Sequence, residues 1–364
     1  MTPPPGHGRG AVVFVCVDAD ALGGVQQATH TLAQGLALRG YAAHVAGLRH
    51  GGGAPFRYVE RPLYERHAPG RGAGRRGVAR WWGARTLRGL GEGFAVMTCP
   101  EVADVLAGVV PDGLRGIGQY HGSFAQARDA GHLAAVRRHY GALDRAAFLS
   151  ADDAWRFAEE ALLPNAVDLP NPLRTWPATT SYLDVPRVLG VGRLVAVKRF
   201  DRLITAFARA ARARAGWELH LIGDGPELPR LRACAAGAGV ADQVVFRGRV
   251  TAAQLGREYL NAAVLGLTSE HEGLPPVVAE AAAYGMPAVA FDVSGGVRSL
   301  VLDGTTGALV PHPDLDAFTG ALAGLMADPA RRRRLGAAAR AHAASFRLDP
   351  VLDRWEDLFT AIRR

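Results

Sequence analysis

The chain has 364 residues, 49% of them apolar, too many for one comfortable core, so two domains of roughly 170 residues each are expected and a disordered chain is excluded. The formal charge is +8, and of the 42 basic residues only Lys198 is a lysine; the excess suits nucleic acid, an anionic membrane or an acidic substrate. No apolar run approaches the roughly 20 residues that cross a bilayer. The Pro- and Gly-rich start, Met1–Gly10, has no apolar signal core and reads as a loose lead into the first strand. Cys16, Cys99 and Cys234 lie far apart, so they read as buried thiols in a reducing compartment. Without C-x-x-C or H-E-x-x-H spacing, no metal site is expected.

The first half opens on an apolar run, Ala11–Val17, which predicts a buried parallel strand. Leu22-Gly23-Gly24-Val25 follows it, then a helical pattern from Gln26 to Leu38, and a second strand over Tyr41–Leu48. This is a βαβ unit with a glycine loop at the ligand-facing carboxyl end of its strand. Residues 50–93 break the pattern, with nine arginines between Arg57 and Arg88 and the pair Trp81-Trp82. That stretch is either a surface loop or a cationic arm touching a phosphorylated polymer or a membrane surface. Ala95–Thr98, Ile117–Tyr120 and Ala147–Ser150 resume as strands, the last feeding a helix from Asp152. Pro164, Pro170, Pro172, Pro177 and Pro186 then mark a linker, and the domain boundary is placed there: 1–170, then 171–345.

The second half alternates strictly. Strands are expected at Arg187–Val191, Trp217–Ile222, Val244–Phe246, Val264–Thr268, Ala288–Phe291 and Ala308–Val310, with helices near 199–214, 226–237, 252–259, 276–284 and 297–302. That order predicts a doubly wound parallel sheet and an α/β fold. Beyond Pro313 the pattern is helical, with breaks near Pro329 and Pro350.

The strongest chemical signal is the pair Glu272 and Glu280, separated by seven residues in Glu272-Gly273-Leu274-Pro275-Pro276-Val277-Val278-Ala279-Glu280. Pro276 suits a first helical position, so the backbone N–H groups near Val277 and Val278 make an anion site. Both carboxylates can reach one ligand there, or both are solvated helix-start acids favoured by the dipole. Asp18-Ala19-Asp20 has a D-x-D form, but it follows a Rossmann-type strand and is not taken as a metal site. Gly223-Asp224-Gly225 reads as a turn, and Arg331–Arg334 as a solvated helix face.

The Glu272–Glu280 stretch resembles the E-x7-E signature of retaining glycosyltransferases of family 4, which have the GT-B fold. Gly190-Val191-Gly192-Arg193-Leu194 with Lys198 resembles that family's GRL…K segment. Gly223-Asp224-Gly225-Pro226 resembles its GxGP turn, and Tyr284-Gly285-Met286-Pro287-Ala288-Val289-Ala290 its strand entry. The likeness is nearly continuous from 187 to 345 and only an outline before that. Ser294-Gly295-Gly296-Val297-Arg298 departs from the family, which commonly carries Pro-Glu there.

The resemblance implies two Rossmann-like domains facing an interdomain cleft. It implies an acceptor-binding amino-terminal domain and a carboxyl-terminal domain that binds the nucleotide sugar, with a last helix (within 346–364) packing back on the first. Arg193 and Lys198 would hold the donor diphosphate, Glu280 the ribose and Glu272 the transferred sugar. Leu274, Val277 and Val278 would line the donor, and Gly24 would let backbone approach its phosphates. His121, at a strand end in Gln119-Tyr120-His121-Gly122-Ser123, would face the sugar; read alone it is a packed or surface histidine.

The implied function is a metal-independent, nucleotide-sugar-dependent retaining transferase, with UDP-sugars favoured and no cofactor. Its acceptor would be a hydroxyl on a cell-surface polysaccharide, teichoic-type polymer or secondary metabolite. It would be cytoplasmic, with room for peripheral contact with the inner membrane face. A sugar-nucleotide epimerase of the same fold and a non-enzymatic module for anionic polymers are the rivals. The second would leave Lys198 and the two glutamates without a role, so nucleic acid is not expected as a partner.

Overall fold

A computed structural model describes residues 9–51, 56–70, 75–212 and 214–363; most of the Pro- and Gly-rich start and part of the Arg-rich stretch lie outside these. Two compact units emerge, one of Met1–Arg174 with Phe346–Arg364, the other of Thr175–Ser345.

The first unit runs β1 (Ala11–Cys16), α1 (Gly24–Leu38), β2 (Ala42–Gly47), β3 (Glu65–His67), α2 (Arg76–Arg88), β4 (Gly93–Met97) and α3 (Pro100–Leu106). It continues β5 (Leu114–Tyr120), α4 (Phe124–Asp129), α5 (Leu133–Tyr140), β6 (Arg145–Phe148), α6 (Ala151–Glu159) and β7 (Ala166–Asp168). The strands form one parallel sheet in the order β3-β2-β1-β4-β5-β6-β7. Every residue of β1 is buried, as the unbroken apolar run requires of a strand covered on both faces.

Residues 171–174, expected in the second domain, belong to the first unit. Leu173 is buried and its N–H donates to Phe346 O at 2.7 Å. The final helix α14 (Leu348–Arg363) lies against α1, with Trp355 fully buried beside Phe14 and Phe359. Pro350 starts no break; it sits in the first turn of α14, where its missing N–H has no intrahelical partner to lose.

The described residues of the stretch 50–93 hold more regular structure than its composition suggests. They include β3 and the helix α2, whose buried face is Ala79, Gly83, Ala84 and Leu87. Several arginines there are committed to the fold. Arg66 pairs with Asp20 and Arg76 with Asp104, while Arg80 caps the end of α3 through Val105 O and Ala107 O at 3.0 and 2.6 Å. Trp82 is anchored by its Nε1 on Gly47 O, whereas Trp81 is exposed. No helix among the described residues is long and apolar enough to cross a membrane.

The second unit runs β8 (Arg187–Val191), α7 (Phe200–Ala211), β9 (Glu218–Ile222), α8 (Leu228–Gly237), β10 (Val244–Gly248), α9 (Ala252–Leu260) and β11 (Val264–Leu267). It closes with α10 (Pro276–Ala283), β12 (Ala288–Asp292), α11 (Gly295–Leu300), β13 (Gly307–Pro311), α12 (Leu315–Ala327) and α13 (Pro329–Ala343). The sheet order β10-β9-β8-β11-β12-β13 is the doubly wound arrangement, and it reverses between β8 and β11. Ligands of open α/β sheets bind outside the carboxyl ends of the strands at that reversal.

Candidate active site of the carboxyl-terminal unit

The carboxyl ends of β8 and β11 carry Arg193, Lys198 and Glu272. After β8 the loop is fastened to its neighbour by backbone bonds. Gly192 N donates to Ile222 O at 2.9 Å, Leu194 N to Asp224 O at 2.9 Å, and Glu227 N to Leu194 O at 3.0 Å. Gly223 makes this possible: its φ is +137° and a Cβ there would lie 1.8 Å from Gly192 O, so only glycine permits the approach. The turn read in Gly223-Asp224-Gly225 thus serves to present the loop. Arg193 is left exposed at its crest, without a hydrogen bond or ion pair from its guanidinium among the described residues.

A 3₁₀ turn, Ala196–Lys198, leads into Arg199, a non-glycine residue in the left-handed region at φ 47°. This conformation costs roughly 1–2 kcal/mol and persists because its surroundings hold it. Thr268 Oγ1 donates to Arg199 O at 2.9 Å, and the Arg199 guanidinium pairs with Glu270 and Asp201. Glu270 N donates to Val197 O at 2.8 Å, joining the loop after β11 to the turn that carries Lys198. The result is direct contact: Lys198 Nζ lies 2.6 Å from Glu272 Oε1, which also accepts from Ser269 Oγ at 2.7 Å. Glu272 is buried while Lys198 is half-buried, so the buried carboxylate is paired with an ammonium that still reaches solvent.

The segment after Glu272 is a backbone cradle. Among the described residues the N–H groups of Gly273, Leu274 and Val277 find no acceptor, although Leu274 is buried. Buried amides are rarely left unpaired. Val278 departs from the expectation that its amide also faces a ligand. Its N–H donates to Pro275 O at 3.1 Å because the helix opens with a tight i→i−3 turn behind Pro276; its side chain is buried. Gly296 lies against the cradle from behind, and Ser294 caps α11 through Val297 N. Glu280, on α10, accepts from Tyr259 Oη at 2.9 Å. Burial first and the Glu280 carboxylate second push the Tyr259 hydroxyl well above its ordinary value, so Tyr259 stays a donor. Ser269 and Tyr259 were not found from the sequence, since their partners are identified only by contact.

In the first unit, Gly24 is the exposed first residue of α1, and a Cβ there would meet nothing within 4 Å. Packing therefore does not require glycine at 24. Asp18 and Asp20 are occupied structurally: Asp18 accepts from the N–H groups of Asp20 and Gly51, and Asp20 pairs with Arg66. His121 follows β5. Asn171 Nδ2 lies 3.2 Å from His121 Nδ1, and Asn171 Oδ1 accepts from Gln119 Nε2 at 3.4 Å. With the amide donating, Nδ1 is the acceptor and Nε2 carries the proton. Nε2 is buried without a partner. Asn171, read from the sequence as linker, is therefore the residue that sets the His121 tautomer.

Burial pushes the His121 imidazole down to about 4. Because the folded value lies below the ordinary one near 6.5, the neutral ring contributes stability that is fully present above pH 6.5 and is lost as pH falls through 4. Denaturant melts over that window should show a loss of about 3 kcal/mol, and His121→Gln should remove most of that slope. An unchanged slope in the variant would assign the loss to other groups.

Residues 177–342 match the family model described as glycosyl transferases group 1. The carboxyl-terminal unit is a group 1 glycosyl transferase domain. The chain is 30% identical over 282 residues to an exopolysaccharide phosphotransferase of Streptomyces coelicolor, an alignment covering 76% of this chain and 29% of that protein. It is 38% identical over 180 residues to a GDP-mannose-dependent alpha-(1-6)-phosphatidylinositol monomannoside mannosyltransferase of Mycolicibacterium smegmatis, covering 48% of this chain and 45% of that one. The chain thus spans less than half the length of these two relatives.

Among solved structures, a sucrose-phosphate synthase from Thermosynechococcus elongatus superposes with a TM-score of 0.81 at 19% identity, over 97% of this chain and 99% of that one. The Anabaena protein HepE, crystallised with UDP and glucose, gives 0.77 at 17% identity, over 97% and 100%. At such identities the likeness is one of fold, the GT-B fold, and it extends over both units of the chain.

Proposed function

We propose that this chain is a retaining glycosyltransferase that takes a sugar from a nucleoside-diphosphate sugar and places it on a hydroxyl acceptor. The observation that carries the reading is the clustering at the β8/β11 reversal. An ammonium (Lys198) touches a buried carboxylate (Glu272), open amides (Gly273, Leu274, Val277) follow it in the chain, and an unpaired guanidinium (Arg193) stands on the loop after β8. A departing diphosphate develops negative charge, and preorganised cations and N–H donors stabilise it. Arg193 offers a fork and Lys198 a point charge, so the site holds a diphosphate with protein groups alone.

In this reading Glu280 accepts from the ribose hydroxyls while Tyr259 orients its carboxylate. Glu272 accepts from a sugar hydroxyl. His121 Nε2–H is the donor for an oxygen of the transferred sugar, and Gly24 leaves room for phosphate. The bond between the anomeric carbon and the β-phosphate oxygen breaks, the acceptor oxygen bonds to that carbon on the same face, and the acceptor's proton passes to the departing phosphate. The acceptor belongs to the first unit, where a cavity of about 590 Å³ is lined by Phe56, Arg57, Tyr58, Tyr64 and Arg66, among others. Aromatic faces and guanidinium groups suit an anionic carbohydrate polymer.

A thermal-shift panel of UDP-, GDP- and TDP-sugars tests the reading. A saturating donor at about 100 times its Kd adds about 2.7 kcal/mol, a rise of roughly 5–10 °C for a unit of this size. Glu280→Ala and Lys198→Ala should each remove the rise. Normal responses in both variants would refute the site assignment.

A further inference from the structure

The strand β3 is three residues long and lies on the edge of the first sheet, with Glu65, Arg66 and His67 in register with His44, Val45 and Ala46 of β2. Successive side chains of a strand point to opposite faces. Arg66 and the preceding Tyr64 turn to one face, where they meet Asp20 and His30. Glu65 and His67 turn to the other and meet His44. Three ligating atoms converge there. His44 Nδ1 and His67 Nε2 are 3.1 Å apart, and Glu65 Oε2 lies 3.6 Å from the first and 3.8 Å from the second. Among the described residues this is the only such group of three metal-ligating side chains.

The dimensions are those of a coordination site. Donor atoms on a tetrahedral zinc, each about 2.0–2.1 Å from the metal, stand roughly 3.4 Å apart. An ion equidistant from these three atoms would sit about 2.0 Å from each, a zinc–ligand length. Two imidazoles and one carboxylate form a borderline-soft set that suits Zn²⁺ far better than Mg²⁺ or Ca²⁺, which take oxygen. Glu65 is exposed while His44 is buried, so a fourth position can open to water.

We propose that His44, Glu65 and His67 bind one zinc-class transition-metal ion, which fastens the edge strand β3 to β2. This departs from the sequence expectation of no metal. That expectation rested on helix and loop spacings, whereas here the ligands come together only through strand register. The proposal does not rest on the glycosyltransferase reading.

The full chain, stripped with chelator and then dialysed against low micromolar zinc, should retain one equivalent by atomic emission. Cobalt(II) loaded in its place should show the visible absorption of a low-symmetry four-coordinate site. Zinc should raise the thermal midpoint, and magnesium should leave it unchanged. His67→Gln and His44→Gln should each lose the equivalent and the cobalt bands while keeping the circular dichroism of the metal-free chain. Glu65→Gln should weaken zinc by tenfold or more. A wild-type chain that retains no zinc would overturn the proposal, leaving the triad a hydrogen-bonded network alone. So would histidine variants that retain the full equivalent, which would place the ion elsewhere.

Discussion

Replacing Lys198 with methionine should lower kcat/KM for sugar transfer about 10²–10³-fold, the cost of removing one preorganised donor from developing charge. Two separable effects are expected. The first is structural. Glu272 is buried and would retain only the Ser269 hydroxyl, and a carboxylate deprived of its cation is destabilising. The ammonium is half-buried, so solvent screens part of that penalty and about 1–3 kcal/mol is expected. The second is chemical, the absence of positive charge at the leaving diphosphate. Adding Glu272→Gln to Lys198→Met should restore most of the stability, since the uncompensated charge is gone, but none of the rate. Lys198→Arg should keep the stability and recover only part of the activity, because a planar fork does not occupy the place of a compact ammonium. Recovery of activity in the double variant would reduce Lys198 to a structural counter-ion.

Gly296→Ala is the second large effect, and it acts through backbone alone. A Cβ at 296 would lie 1.7 Å from Gly273 O, 2.7 Å from Gly273 C and 3.1 Å from Leu274 Cα. No side chain can rotate away, so the loop bearing Glu272 and the open amides of Gly273 and Leu274 must move. Overpacking of this kind costs about 1–3 kcal/mol, a fall of roughly 3–10 °C in Tm. Nucleotide binding should fall further than stability does, because a displacement near 1 Å at a preorganised site is enough to lose most of its effect. Gly295→Ala, at the neighbouring position, provides the comparison for local helix effects. Near-wild-type nucleotide binding in Gly296→Ala would show that the cradle is not part of the donor site.

Legibility differed between the two units for physical reasons. In the second, strands buried on both faces alternate with amphipathic helices, so β8 falls at the expected residues and the other elements within a few. In the first, β3 and α2 were missed. A three-residue strand of Glu65, Arg66 and His67 has no apolar pattern, and its existence depends on pairing with β2. The helix α2 buries mainly alanine and glycine against its neighbours, so its periodicity is faint beneath the arginines. The short strand β7 hid inside proline-rich sequence for a similar reason.

The candidate site was legible in its parts and not in its contacts. The motif around Glu272 and Glu280 and the segment from Gly190 to Lys198 are local. The resemblance puts Lys198 and Glu272 at different parts of a donor, yet they touch; the proline pattern makes Asn171 linker, yet it bonds His121. Both are long-range contacts set by the order of strands, and a sequence pattern read in windows does not contain them.

Calorimetric titration of the full chain with UDP, UMP, GDP and GMP bears most directly on whether Arg193, Lys198 and the amides after Glu272 grip a diphosphate. With the cognate base, the diphosphate should bind tenfold or more tightly than the monophosphate, about 1.4 kcal/mol or greater. In an Arg193→Ala/Lys198→Met variant that ratio should collapse towards one while the monophosphate affinity changes little. A variant that preserves the wild-type ratio, or a wild-type chain that binds no nucleoside diphosphate, would contradict the account.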